Sequence, residues 1–139
     1  MPNLMPVSFC RVSGPYEYDD RAPTKASTVI AVGDALEQDT GLAPAESDDE
    51  IHGIALEGRA SIADQAPILI MLILDRAKFF GLAETGTFVS TTDGNSYVDL
   101  NSADGLAADT NTNHDWYVNY VLSTTAAIGQ FTHLANQVR

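Results

Sequence analysis

The chain has 139 residues, which suits a single domain, and its 45% hydrophobic content excludes an intrinsically disordered protein. Nineteen acidic residues against seven basic ones give a formal net charge of −12. Because phosphate binding needs clustered Lys and Arg, we expect no direct contact with nucleic acid. The one cysteine, Cys10, excludes an intrachain disulfide, and we expect it to be a small buried apolar residue.

Residues 1–27 hold four of the six prolines and are predicted to form an extended N-terminal arm, since proline removes backbone donors and fixes φ. MPNLMPVSF has no basic region, so we expect no secretory signal. Two interpretations of the arm are open: a wrap over its own domain, or a fastener to a neighbouring subunit, with Tyr16 and Tyr18 as anchors. The candidate contact residues are Pro6, Phe9, Arg11, Tyr16, Tyr18, Arg21 and Lys25.

Three apolar runs follow: TVIAV from Thr28, IHGIAL from Ile51 and PILIMLIL from Pro67. The first two predict strands with turns between them. The third is apolar at every position, so its length and flanks predict a short strand buried on both faces. It is too short to span a bilayer, and no membrane association is expected. The one helical candidate is a single turn at residues 59–65.

The second half adds AKFFGLAE, GTFVSTT, SYVDL, WYVNYVLST and IGQFTHLA as predicted strands. Asp93-Gly94 predicts a hairpin that joins TFVST to SYVDL. Alternation places Trp116, Val118 and Tyr120 on one face of their strand. The pattern L-x4-G-L-A occurs at both Leu36 and Leu100, which indicates either two similar hairpins or two similar turns. Residues 28–139 are therefore predicted to form one compact all-β domain with little helix.

No catalytic or cofactor motif is present. His52, His114 and His133 have no paired spacing, and one cysteine cannot anchor a zinc site. The loop 109–115 alternates oxygen-bearing side chains like the start of a calcium loop, but the later ligand positions do not match, so cation binding there stays open. The acid run Asp48-Asp49-Glu50 is predicted to be a solvated tip. We expect no enzyme activity, no cofactor and no resident metal.

The segments VGDAL, GLAPAESDDEIHGIALEGRAS and ILIML, with VDLNSADGLAADTNTNHDWYVNYVL near the C-terminus, resemble the capsid decoration (cement) proteins of tailed bacteriophages. The resemblance covers roughly residues 28–122. It departs from the family at Ala63-Asp64-Gln65, where a second Gly-Asp is common.

The resemblance implies a β-barrel or β-tulip domain that assembles as a homotrimer. Such proteins sit on the outer capsid surface, after synthesis in the host cytoplasm, and clamp neighbouring major capsid protein subunits. It carries over no catalytic residue. The alternative is a receptor- or glycan-binding module, in which Trp116, Tyr117 and Tyr120 would form a sugar-stacking patch. Core packing is a competing explanation for those aromatic residues.

Overall fold

The computed structural model describes residues 9–89 and 94–135, and these residues form eleven strands and no helix. All-β architecture is therefore confirmed. The strands are β1 (Cys10–Ser13), β2 (Tyr16–Asp19), β3 (Ala35–Gln38), β4 (Leu42–Pro44), β5 (Gly53–Ala55), β6 (Ile70–Ile73), β7 (Lys78–Thr85), β8 (Ser96–Ser102), β9 (Gly105–Ala107), β10 (Trp116–Ser123) and β11 (Ala126–Phe131).

Five strands close into a barrel in the order β7, β11, β10, β8 and β9, because β9 returns to pair with β7. The β7–β9 pairing is parallel, and the other barrel pairings are antiparallel. Strand β7 is eight residues long, so one of its edges can pair with two strands. Its first half pairs with β1, and its second half pairs with β9. Strand β1 therefore lies outside the closed ring.

The remaining strands form a second sheet in the order β2-β6-β5-β3-β4, with antiparallel pairing throughout. Strand β6 comes from the apolar run PILIMLIL. Its Met71 and Ile73 pack with the larger core cluster, while Ile70 and Leu72 pack with the smaller one. The prediction of a strand that is covered on both faces is confirmed, since the two alternating sets meet different parts of the core.

The larger core cluster joins the barrel to the second sheet, since it contains Ile54 and Ile73 as well as barrel residues. Its bulkiest fully buried side chains are Trp116, Phe79 and Phe88. The smaller cluster centres on Ile30, Leu36, Leu42 and Ile70 in the second sheet.

The repeated L-x4-G-L-A pattern marks two hairpins. The first occurrence spans β3 and β4, and the second spans β8 and β9. In both, the two leucines of the pattern are buried at the hairpin. The amide of Ala35 donates to the carbonyl oxygen of Ala103 at 2.7 Å, which joins the two hairpins. Of the two interpretations left open by the sequence, the hairpin interpretation is the one the structure shows.

Three local predictions are wrong. Residues 28–32 form no strand, and only Ile30 makes an isolated bridge, with Arg59, because a turn at Gly33 (φ 91°) delays the strand to Ala35. Residues 59–65 form no helix, because the Arg59 guanidinium instead binds the backbone and side chain of Asp64.

The predicted hairpin at Asp93-Gly94 also differs. Residues 90–93 lie outside the described residues, and residues 86–89 form no strand. Strand β8 instead takes β10 and β9 as its partners. Phe88, from the predicted first strand, is a buried core residue whose amide donates to the carbonyl oxygen of Thr124 at 2.8 Å. β8 is therefore paired with β10 and β9, and Phe88 packs in the core without joining a strand.

Candidate functional site

The predicted arm is built into both sheets over residues 10–19. Strand β1 is the edge of the six-stranded sheet that contains the barrel, and β2 is an edge of the second sheet. Between them Gly14, at φ 92°, passes so close to the residue before β7 that an added Cβ would lie 2.6 Å from the Ala77 Cα. These contacts with the chain's own domain agree with the wrapping interpretation. Edge strands nevertheless leave one row of backbone groups open to a partner.

Phe9 lies in the barrel core and not on the surface. It is 4% exposed, and its ring centroid is 4.8 Å from that of Phe131 and 6.3 Å from that of Trp116. Pro6 lies outside the described residues. Among the described members of the predicted set, five other residues remain as candidates for surface contact.

Three predicted residues come together as one cluster: Arg11, Tyr16 and Tyr18. The Arg11 guanidinium carbon lies 4.2 Å from the Tyr16 ring centroid, and its Nη1 donates to the Gly14 carbonyl oxygen at 3.0 Å. The two tyrosine rings meet edge to face at 5.2 Å and are 41% and 59% exposed. Hydrogen bonding to Tyr16 raises the pKa of Tyr18. We call these three residues the Arg11 cluster.

The other two predicted residues, Arg21 and Lys25, are engaged in surface ion pairs. Arg21 Nε lies 3.3 Å from Asp19 Oδ1, and the Arg21 backbone amide bonds the same carboxylate and lowers the pKa of Asp19. Lys25 Nζ lies 2.7 Å from Asp39 Oδ2, at the connection between β3 and β4. Each cation is paired with a carboxylate outside the Arg11 cluster.

A second surface, which the sequence reasoning missed, crosses four strands on the outside of the barrel. Cys10, Phe80, Ile128 and Tyr120 are cross-strand partners on β1, β7, β11 and β10. Paired residues point to the same face, and the neighbouring Phe79 points into the core, so these four side chains point outward. We call them the outer row. In the sequence, the Phe79-Phe80 pair could have indicated this surface, since consecutive strand residues cannot both face the core.

Two side chains of the outer row are well exposed. Tyr120 is 61% exposed and Cys10 is exposed, so the prediction of a buried cysteine is wrong. The reason is alternation: Phe9 fills the core and Cys10 takes the opposite face. Lys78, on the same face of β7, places its Nζ 5.8 Å from the Tyr120 ring centroid. The row is thus apolar, with a cation beside it.

A β-bulge places Tyr120 in the outer row. Val118 pairs with Gly129 and Tyr120 with Ile128, so Asn119 is an extra residue in β10. The prediction that Tyr120 shares a face with Trp116 and Val118 is therefore wrong.

Trp116 is completely buried. Trp116, Tyr117 and Tyr120 consequently do not form one sugar-stacking surface.

The polar loop 109–115 is held by two buried carboxylates that accept hydrogen bonds from protein groups. Asp99 accepts from the amides of Thr112, Asn113 and His114 at 2.8 to 3.0 Å. The described residues contain no group of three or more His, Cys, Asp or Glu side chains that could hold a metal ion. The Asx-rich pattern therefore has a structural account in Asp99, and Asp115 is likewise buried and accepts three hydrogen bonds from protein groups.

The acidic connections gather around Glu37 on β3. Burial of this side chain, followed by its hydrogen bond to Asp49 and the charges of Asp49, Asp39 and Glu46, raises the pKa of Glu37 to about 7. Asp49 is only half-exposed, and its Oδ2 accepts from the Glu46 amide at 2.8 Å. Asp48 and Glu50 are exposed, as the prediction of a solvated tip requires, but Asp49 belongs to a carboxyl pair.

The histidines are spread over different surroundings. Burial lowers the pKa of His52. His133 Nε2 lies 2.9 Å from the Asn113 carbonyl oxygen and 3.7 Å from Asp115 Oδ1. A cleft of about 490 Å³ between the two hairpins is lined by one ionisable side chain, Glu46, with small and amide residues around it. Such a lining offers no acid–base pair.

No helix within residues 9–89 and 94–135 has the length and apolar character needed to cross a membrane. Comparison with known proteins returns no matching family, no similar curated protein and no similar solved structure.

Proposed function

We propose that the protein is a structural virion protein that binds the outer surface of a phage capsid and bridges major capsid protein subunits. The capsid as partner comes from the resemblance of residues 28–122 to decoration proteins. The homotrimeric state and the location on the outer shell rest on the same resemblance. The proposal includes no catalysis, no cofactor, no nucleic acid contact and no membrane contact.

The observation that carries the proposal is the outer row. Four apolar side chains in register across four strands make a broad surface on the barrel wall and not a cleft. Cys10 and Tyr120 at the ends of the row are exposed, and Phe80 and Ile128 between them are half-buried. A partly exposed apolar row on a flat wall is typical of protein–protein contact. Binding would remove the exposed Tyr120 from water, and aromatic residues contribute heavily to such interfaces.

The Arg11 cluster supplies a second contact surface, as a bridging role requires. Successive residues of a strand point to opposite faces, so Cys10 and Arg11 belong to different surfaces of β1. The outer row thus ends on one side of this edge strand, and the Arg11 cluster begins on the other. A chain with a net charge of −12 is best suited to a partner surface that is basic or mixed in charge.

The test is addition of the purified protein to undecorated capsids built from the major capsid protein of the same phage. We expect saturable, stoichiometric binding and a higher capsid disruption temperature. Tyr120→Glu should abolish binding because it buries a charge at the interface. Val29→Glu is the matched control, since it adds the same charge at a side chain 61% exposed outside both surfaces. Capsids that take up no protein at any salt concentration would refute the proposal.

Tyr16→Ser with Tyr18→Ser tests the Arg11 cluster separately and keeps the fold, because both rings lie on the surface. We expect this double variant to bind without raising the disruption temperature if the outer row attaches the subunit and the Arg11 cluster bridges to its neighbour. Native mass in solution tests the trimer.

A further inference from the structure

A groove of about 440 Å³ lies on the barrel wall beside the connection from β6 to β7. One side is a row across three strands, in which Tyr117 on β10 pairs with Tyr97 on β8 and with Gln130 on β11. Asp75, from the connection, lines the groove as well, and Phe131 lies at its apolar base. The volume is in the range of small-molecule sites.

The two tyrosine rings are held in fixed positions. Their centroids are 5.2 Å apart in an edge-to-face arrangement, and the hydroxyl group of Tyr117 donates to Asn95 Oδ1 at 3.0 Å. The His114 ring lies 5.0 Å from Tyr97 on the loop that Asp99 organises. A site whose aromatic groups are already positioned loses little conformational entropy on binding.

The lining combines aromatic surface with hydrogen-bonding groups of both kinds. The Asp75 carboxylate accepts, the Gln130 amide donates and accepts, and the Thr132 hydroxyl, which donates to the His114 carbonyl oxygen, can still accept. Neither lysine nor arginine is among the described residues that line the groove. An anionic ligand would therefore meet the Asp75 charge without a counter-charge.

We propose that this groove binds a neutral saccharide. A pyranose ring presents an apolar C–H face, which can pack on a tyrosine, and a rim of hydroxyl groups, which need donors and acceptors at once. The C–H face can pack on Tyr97 or Tyr117, and the hydroxyl groups can form hydrogen bonds with Asp75, Gln130 and Thr132. No residue of the groove belongs to the outer row, although Gln130 and Ile128 lie two residues apart on the same face of β11. Saccharide binding is therefore tested on the free protein, without capsids.

Saturation-transfer NMR on the full chain tests this, with methyl glycosides of glucose, galactose, mannose and N-acetylglucosamine as probes. Choline and N-acetylneuraminic acid serve as charged probes. We expect at least one neutral glycoside to bind with millimolar affinity and its C–H face to receive the strongest transfer. Binding by none of the four, or by a charged probe alone, would overturn the proposal.

Variants locate the site. Tyr97→Ala should weaken binding about tenfold, the loss expected for one stacking ring. Asp75→Asn, in an exposed connection where folding is not at risk, should weaken it several-fold. Leu122→Ala, which removes a side chain 53% exposed on β10 outside the groove, should leave affinity unchanged. Unaltered affinity in both Tyr97→Ala and Asp75→Asn would place the saccharide elsewhere and refute the groove as the site.

Discussion

The amide of Leu100 donates to Asp115 Oδ2 at 2.8 Å, and this hydrogen bond is buried. It extends the backbone pairing of β8 with β10 by one side-chain hydrogen bond, just before β10 begins. Asp115 is 2% exposed, and its carboxylate also accepts from the Ser47 hydroxyl and the Asp48 amide, the latter at 2.8 Å. One carboxylate thus ties the barrel to the loop before β5. The sequence alone identifies Asp115 only as one acidic residue in a polar loop.

Replacing Asp115 should destabilise the fold. Asp115→Asn replaces one accepting oxygen with an NH2 group, which would face hydrogen-bond donors and leave them without an acceptor. We therefore expect a loss of about 2–3 kcal/mol in the free energy of unfolding. Denaturant unfolding followed by Trp116 fluorescence measures it. Asp109→Asn, at an exposed position in the same loop, is the control and should change stability by less than about 0.5 kcal/mol. Equal effects from the two variants would contradict the assigned role.

Stability should fall as pH rises from about 4.5 to about 7 because of Glu37. Its pKa is raised to about 7 in the folded state, so the folded chain retains a proton that the unfolded chain releases near pH 4.5. The stabilising effect is complete below pH 4.5 and is lost as pH rises to about 7.

Glu37→Gln should remove this pH dependence and stabilise the protein above pH 7 by about 1 kcal/mol, a value reduced for solvent screening of a partly exposed group. Denaturant unfolding of both proteins at several pH values gives the difference between their free energies of unfolding. The pH dependence that comes from other groups, such as His52, cancels in this difference. Parallel stability curves for the two proteins would show that Glu37 is not the titrating group.

Phe9 should be essential to the fold although it lies in the predicted arm. Phe9→Ala leaves a cavity beside Trp116 and Phe131, and a loss of about 3–4 kcal/mol is expected. Tyr18→Ala, at a ring 59% exposed, should cost less than about 1 kcal/mol. Thermal unfolding compares the two. Wild-type stability in Phe9→Ala would mean that residues 1–27 are a separable arm.

Gly129 marks the tightest approach between β11 and β10. An added Cβ would lie 2.2 Å from the Tyr117 carbonyl oxygen and 2.8 Å from the Trp116 ring, so Gly129→Ala should cost about 2–3 kcal/mol or prevent folding. Gly58→Ala, whose nearest neighbour would be the Ile30 carbonyl oxygen at 3.3 Å, should stay within about 1 kcal/mol of the wild type. Soluble yield and thermal midpoint measure both, and a tolerated Gly129→Ala would contradict the observed register.

The sequence by itself determined the β class and most of the strands, because alternation, β-branched residues and glycine turns are local signals. It marked the repeat at Leu36 and Leu100 but left hairpins and turns both open. It also predicted that PILIMLIL is covered on both faces. Only the tertiary structure decided how the strands pair into sheets, since β8 takes β10 as its second partner and β9 returns to β7 to close the barrel.

The same distinction holds for the candidate sites. The sequence marked Arg11, Tyr16 and Tyr18, but it could not place Phe9 in the core or Tyr120 on the outer wall. Phe9 depends on Trp116 and Phe131, which lie far along the chain, and Tyr120 depends on the bulge that β10 forms where it pairs with β11. Residues that a local pattern assigns to one face change face when one extra residue enters the strand. The outer row and the groove at Tyr97 and Tyr117 exist only once distant strands are brought into register.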